Sequence, residues 1–513
     1  MKLVIPMSGA GERFVKAGYR EPKPLIAVDG RPMIEHVLAL YPGADDVVFI
    51  VSEAHVADGA LLDVLARARR DARVVMIAAH KRGPVHAVCQ ALDLLADDEE
   101  VIVSYCDFGM VWDFADFLRT VRAAGADGAI PAYRGFHPHS LGPTLYAYMR
   151  AEGPWLREIR EKGHFTDDRM QEPASVGMYY FRRGADVKRF FPELMARGLA
   201  VNGEYYVSVV YTLMTEAGRR TYVYDVERFL QWGTPEDLAD YHYWSAHFRT
   251  PRTRAPLSAS GATTNIVLLA GRGQRFVDAG YTTPKPFISV AGLPMLARVV
   301  RDLPPARRWV FVCLAEHAAA PTLREAADAQ NAAEIVALPA LTEGQAMSAL
   351  AGLATAPPDA PVLIAACDAG AVWDAAAHAR LLDDPAVDVV VWTFRGHPAL
   401  RLRPRAWGWV ATDGTRVRRV SVKVPLSDDP ARDHAIVGTF WFRRARDLTE
   451  AIVAMRASQA QVNGEYYLDE AINACLAAGL RVHVFEVERY LGWGTPDDLR
   501  TYEYWHRHFL GPA

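Results

Sequence analysis

Met7-Ser8-Gly9-Ala10-Gly11-Glu12-Arg13-Phe14, followed by Glu21-Pro22-Lys23-Pro24-Leu25-Ile26, returns later in the chain as Leu269-Ala270-Gly271-Arg272-Gly273-Gln274-Arg275-Phe276, followed by Thr283-Pro284-Lys285-Pro286-Phe287-Ile288. Lys23 and Lys285 are 262 positions apart. Cys106-Asp107 returns as Cys367-Asp368, Asn202-Gly203-Glu204-Tyr205-Tyr206 as Asn463-Gly464-Glu465-Tyr466-Tyr467, and Trp232-Gly233-Thr234-Pro235 as Trp493-Gly494-Thr495-Pro496, each 261 positions on. So long a period with a one-residue slip describes two homologous domains in tandem, not a solenoid or propeller.

A length of 513 residues exceeds one ordinary hydrophobic core. The expected division is residues 1–248, a linker at 249–262 rich in Pro, Ser, Thr and Arg, and residues 263–513. The composition, 51% apolar and 23% charged, is that of a soluble globular protein, and no run is long and apolar enough to suggest a membrane span. A net charge of -4 gives no general reason to bind nucleic acid and suits small anionic substrates better. Lys2 leads straight into the strand-like Leu3-Val4-Ile5, so no signal peptide is expected. The five cysteines form no CxxC pair and read as reduced core thiols of a cytoplasmic protein.

Apolar runs at residues 3–7, 47–51, 74–78, 101–105 and 129–132 predict strands, with helices at 33–40, 61–70 and 84–95 between them. The second half repeats the order with runs at 266–269, 309–313, 362–366 and 389–394. Continuous apolar strands alternating with helices predict, in each half, a mostly parallel, mixed α/β sheet flanked by helices. Later strands at 175–181, 220–226, 435–442 and 481–487 are expected to build an acceptor-binding part. Trp112, Trp244 and Trp505 read as packing residues and not as a platform for bases.

Gly9-Ala10-Gly11 follows a strand and opens a helix, where successive N–H groups can hold a phosphate chain. A Gly-x-Gly alone also describes a tight turn. Arg13 and Lys23 add the cations a phosphate needs, and Lys23 sits between two prolines, which suit neither a helix nor a strand interior. Asp107 ends a buried apolar strand, a costly place for an unpaired carboxylate. Facing phosphate it is a natural Mg²⁺ ligand, because Mg²⁺ prefers one or two carboxylates plus phosphate oxygens and water. A cap of the next turn is the alternative.

Taken together, Gly9-x-Gly11-x-Arg13-Phe14, Pro22-Lys23-Pro24-Leu25-Ile26 and Gly30-Arg31-Pro32-Met33-Ile34 resemble the opening of the sugar-1-phosphate nucleotidylyltransferases, or nucleoside-diphosphate-sugar pyrophosphorylases. The resemblance spans nearly all of each half, to Trp232-Gly-Thr-Pro-Glu-Asp-Leu238 and Trp493-Gly-Thr-Pro-Asp-Asp-Leu499. It implies a GT-A-like (Rossmann-like) fold, an NTP and a phosphorylated small-molecule acceptor as substrates, Mg²⁺ as cofactor, pyrophosphate as product, and an association with surface-polysaccharide synthesis. Position by position, it puts the nucleotide on Ser8, Gly9, Ala10, Gly11, Arg13 and Lys23, with base choice near Gly83 to Ala87, and the metal on Asp107. It puts the acceptor phosphate on Lys162 beside Glu161, with Gly177 and Glu204 on the acceptor side. Gly271, Gly273, Arg275, Lys285, Asp368 and Lys423 correspond in the second half, but Val422 replaces the glutamate.

Other departures matter. Gln231 and Gly492 stand where much of the family has a second metal-binding aspartate; Glu227 and Glu488, four residues earlier, are candidate substitutes, and Asp225 competes with Glu227. The first half carries His137-Pro138-His139, the second a shortened Gly396-His397-Pro398 with Arg401, Arg403 and Arg405. The first half is expected to be active. The second is open between a catalyst of different acceptor specificity, a nucleotide-binding regulatory domain and a degenerate copy. The tandem is compatible with a covalent pseudo-dimer or a homo-oligomer. Alternative functions are a cytidylyltransferase for a phosphorylated alcohol or amide acceptor, a nucleotide-sensing pseudoenzyme, and a GT-A glycosyltransferase, whose Asp-x-Asp motif Tyr105-Cys106-Asp107 only half supplies.

Overall fold

The computed structural model describes residues 1–57, 59–250, 264–330 and 332–511. The chain divides into two compact units, Met1–His242 and Tyr243–Ala513; residues 251–262 of the expected linker lie outside the described residues.

In the first unit the strand Lys2–Met7 pairs in parallel with Asp46–Ser52 on one side and Val101–Ser104 on the other, and Arg73–Ile77 adds outside Asp46–Ser52. From Leu3 to Met7 the strand is apolar because both faces are covered. Leu3, Ile5 and Met7 enter a core with Ile34, Val37 and Leu61, whereas Val4 enters a second core with Val85, Val88 and Phe190. Beyond Val101–Ser104 the sheet becomes mixed. Met178–Phe181 runs antiparallel between Val101–Ser104 and Gly128–Tyr133, Thr221–Asp225 runs parallel to Gly128–Tyr133, and Trp155–Arg160 with Tyr148–Glu152 extends the far side. The first sheet has ten strands and the second nine, in the same order. The count differs because Ala174–Ser175 and Met178–Phe181 are separate, while their counterpart His434–Phe442 is one strand.

Some expected elements end sooner than their apolar runs. Residues 84–95 form the helix Pro84–Cys89 and then a single turn, Leu92–Leu94. Residues 175–181 are interrupted at Gly177, whose φ of +94° leaves the strand region. All five cysteines are free thiols, four of them buried. Trp112 packs on Phe114 and Phe117, with ring centroids 5.4 and 5.1 Å apart, and Trp244 and Trp505 are buried. No described helix is long and apolar enough to cross a membrane.

A two-stranded ribbon beside the main sheet, which the apolar runs do not predict, positions the site. Phe108–Val111 pairs antiparallel with Arg228–Gln231, and Ala369–Val372 with Arg489–Gly492. Each ribbon carries a glycine under the tryptophan of Trp-Gly-Thr-Pro. A Cβ on Gly109 would lie 2.8 Å from Cη2 of Trp232, and one on Gly370 2.7 Å from Cη2 of Trp493. The Trp-Gly-Thr-Pro repeat is therefore a packing plug whose proline opens the helices Pro235–Arg249 and Pro496–Leu510. Gly109→Ala should destabilise the first unit by about 1–3 kcal/mol through overpacking, read as a lower urea midpoint than wild type.

Candidate active site

Parallel pairing brings the carboxyl ends of Lys2–Met7 and Val101–Ser104 together, so the Ser8–Gly11 loop and Asp107 lie side by side where α/β sheets bind ligands. Gly11 has φ +61° and Gly273 φ +63°, both left-handed; a Cβ on Gly273 would stand 2.8 Å from Cβ of Lys285. Lys23 starts the turn Lys23–Leu25 after Pro22, held at φ −52°. Its ammonium donates to the Asp107 carboxylate and, at 3.0 Å, to the carbonyl of Gly233. Lys285 pairs with Asp368 in the same way. The side chains of Lys23 and Asp107 are only 19% and 23% exposed, so neither charge sits in bulk water. Burial works against the charge on Lys285, and the Asp368 carboxylate more than offsets it, raising the lysine above its ordinary pKa. The backbone completes the corner: the amide of Trp232 donates to the carbonyl of Asp107 at 3.0 Å, and that of Trp493 to Asp368 at 2.9 Å.

The Gly83 loop joins this corner to the Glu204 turn. Ser8 Oγ and His80 Nε2 are 3.0 Å apart, and Lys81 pairs with Glu12. Gly83 has φ +85°, and a Cβ there would lie 2.7 Å from both N and O of Tyr205. The Tyr205 amide donates to the Arg82 carbonyl at 2.9 Å, and the Val85 amide to the Tyr205 carbonyl at 3.1 Å. Gly344 meets Tyr466 with the same close approach. Two segments distant in sequence, the Gly83 loop and the Glu204 turn, are thus stitched backbone to backbone.

Lys162 adopts φ +55° and Lys423 φ +65°, left-handed conformations that L side chains rarely take. Lys162 Nζ donates to Tyr206 Oη at 2.6 Å, and Tyr206 Oη donates in turn to Glu204. Arg13 is exposed, and its charge is felt at Tyr206, which puts it across the same space. Glu161 Oε2 accepts from Ser208 Oγ at 2.6 Å. Burial pushes the Glu161 carboxyl up to about 7, with Ser208 and Lys162 opposing and Glu204 adding to the rise. Gly177 lies against Tyr105, Cβ position to Cδ2 3.1 Å, and its carbonyl accepts from the Tyr105 amide at 2.9 Å. The motifs alone do not single out Tyr206 and Ser208, although the repeated Glu-Tyr-Tyr contains the first and lies two residues before the second.

Glu227 does not join Asp107. It sits exposed at the opposite end of the ribbon, its amide on Val111, four residues and roughly 13 Å of strand from Asp107. Asp225 is also exposed and pairs with Arg134 at 2.9 Å. Gln231, at the position of the missing aspartate, donates to Asp237 at 2.6 Å. No group of three or more His, Cys, Asp or Glu is gathered for a metal among the described residues. Asp107 and Asp368 each offer one carboxylate, a donor set that fits a hard cation bringing its own phosphate oxygens and water. His137 is buried and His139 half-buried against Tyr146, and desolvation lowers both imidazole pKa values; His137 Nε2 lies 3.0 Å from the Phe229 carbonyl, a structural role.

A mixed α/β sheet with a glycine loop, a lysine and an aspartate at its carboxyl edge is thus built twice. A family model described as the MobA-like NTP transferase domain matches residues 3–166 and again residues 265–460, and the chain belongs to that family. Among solved structures, the nucleoside-diphosphate-sugar pyrophosphorylase from Vibrio cholerae RC9 is similar at 20% identity, covering 47% of this chain and 98% of its own, with a TM-score of 0.39. The inositol-1-phosphate CTP transferase from T. maritima is similar at 14% identity, covering 50% of this chain and 100% of its own, with a TM-score of 0.39.

The Glu161 shift makes stability depend on pH. The folded chain keeps this proton up to about pH 7, while the unfolded chain loses it near the ordinary 4.5. The contribution is therefore full below pH 4.5 and lost as pH rises through 7. Between pH 5 and 8, wild type should lose on the order of 2 kcal/mol more than Glu161→Gln, measured by chemical denaturation at both pH values.

Proposed function

We propose that the chain is a tandem, Mg²⁺-dependent nucleotidylyltransferase. It moves an NMP from an NTP to a phosphorylated acceptor, a sugar 1-phosphate, and releases pyrophosphate, giving a nucleoside-diphosphate sugar for surface-polysaccharide synthesis in the cytoplasm. The observation that carries this reading is the Lys23–Asp107 pair beside the Gly11 loop, repeated as Lys285–Asp368 beside Gly273.

The acceptor phosphate is anionic at neutral pH and needs no general base. One of its oxygens bonds to the α-phosphorus, the bond from that phosphorus to the α–β bridging oxygen breaks, and pyrophosphate leaves with the electron pair. The protein's task is alignment and charge neutralisation. Lys23 and Arg13 face the triphosphate, and the Ser8–Gly11 amides hold its oxygens. Lys162, held by Tyr206 and Glu204, takes the acceptor phosphate. Asp107 would hold Mg²⁺, which when bound neutralises phosphate charge as a Lewis acid. In the free enzyme the Lys23–Asp107 pair keeps both charges compensated, where either alone would be costly.

The test is pyrophosphate release with the four NTPs crossed against sugar 1-phosphates and phospho-alcohols. Lys23→Ala should lower first-half turnover roughly 10²–10³-fold, with circular dichroism unchanged. Near-normal release from Lys23→Ala, Lys285→Ala and the double variant would remove these lysines from the chemistry. NTP binding without release from any pair would favour a nucleotide sensor.

A further inference from the structure

Ala147, Glu161 and Ser208 of the first half correspond to Gly408, Val422 and Asp469 of the second, each 261 positions on. The backbone supports the match. The Lys162 amide donates to Tyr146 and the Lys423 amide to Trp407, while Ser208 and Asp469 are each the second residue of equivalent helices, Val207–Glu216 and Leu468–Ala477. Gly408 pairs directly with Val422 across the two strands.

Taken by itself, Val422 makes the second half look degenerate, because it removes the carboxylate beside the lysine. The structure contains a compensating change. The Asp469 carboxylate occupies the space a Cβ on Gly408 would take, with Oδ2 2.1 Å and Cγ 2.9 Å from that position. The first half has alanine there, buried at 3% exposure, and a serine on the helix. So the acid stands on the turn after Trp155–Arg160 in the first half and on the facing helix in the second, where a glycine in place of the alanine admits it. Each pocket still holds one lysine and one such carboxylate. Lys423 also keeps the rare left-handed backbone of Lys162, with its ammonium over the Tyr467 ring and bonded to the Ala406 carbonyl at 2.7 Å. The Arg275 charge is felt at both Lys423 and Tyr467, so the cation of the glycine loop faces this pocket too.

We infer that the second half has its own working acceptor pocket, in which Lys423 takes the phosphate of a polyhydroxylated phosphomonoester and Asp469 accepts hydrogen bonds from its hydroxyls. The inference rests on the transferase reading above. An acid that is one methylene shorter and comes from the opposite wall meets a different set of hydroxyls, so the two halves select different acceptors. The reaction is the same: an acceptor phosphate oxygen bonds to the α-phosphorus and pyrophosphate departs.

The experiment uses the full chain with Lys23→Ala, which silences the first half, and measures pyrophosphate release from each NTP with glucose 1-phosphate, mannose 1-phosphate and glycerol 3-phosphate. Release should persist with at least one of them. Adding Asp469→Asn, which preserves shape, should raise KM for that acceptor at least tenfold and leave KM for the NTP unchanged; a merely structural role would not split the two. Adding Gly408→Ala, Val422→Glu and Asp469→Ser together rebuilds the first-half arrangement and should move acceptor preference toward that of the first half, measured in Lys285→Ala. Release abolished by Lys23→Ala alone, or an acceptor KM indifferent to Asp469→Asn, would overturn the inference while the first-half activity stands. No release from wild type with any pair would sink the transferase reading itself, and this inference with it.

Discussion

The lysine–aspartate pair at the carboxyl edge of each sheet is the constraint around which the rest is arranged. An aspartate at the end of a buried strand and a lysine pressed against it are each costly alone and tolerable together. Their meeting needs several unrelated features at once. Pro22 and Pro24 fix the lysine backbone, Gly273 leaves room beside the Lys285 Cβ, Gly11 takes the same left-handed turn beside Lys23, and the ribbon that starts at Phe108 or Ala369 carries the aspartate out of the sheet. Trp232 and Trp493 seal the ribbon from the other side. The motifs most visible in the sequence are therefore parts of one arrangement.

Much of this is legible in the amino-acid sequence. The tandem organisation, the parallel strands, the glycine loop and the strand-end aspartate are local signals, carried by a long repeat and by apolar runs between glycines and prolines. What the sequence hides is non-local. Phe108–Val111 and Arg228–Gln231 are four residues each and make sense only as a pair. Residues 84–95 resemble one helix because apolar periodicity persists past Cys89, where the backbone in fact changes to a separate turn. Glu227 resembles a spare metal ligand because spacing along a chain says nothing about which end of a ribbon a residue occupies. Asp469 escapes notice because the motif places its carboxylate at position 422, and the arrival of an acid from the facing helix is visible only when the two walls are seen together.

The Lys162 and Lys423 turns are built on unusual backbone. A glycine would adopt the conformation of Lys162 or Lys423 more cheaply, yet both halves carry lysine there, its ammonium over the ring of Tyr206 or Tyr467. The Gly83 loop and the Glu204 turn share hydrogen bonds across a gap too narrow for a Cβ. A displacement of either one is transmitted to the other through main chain, without a side-chain intermediary.

The contact between Asp469 and Gly408 also bears on history. With an alanine at position 408 the Asp469 carboxylate has to turn away from that wall, and with a glycine there a serine at 469 merely leaves a small gap. The two arrangements are therefore connected by a path that passes through glycine facing a small side chain, whichever came first. Substitutions along that path have a favoured order, and once the aspartate is in place an alanine at 408 displaces its carboxylate. The pocket's divergence works as a ratchet: a single change to alanine at position 408 is opposed by the residue that the glycine admits.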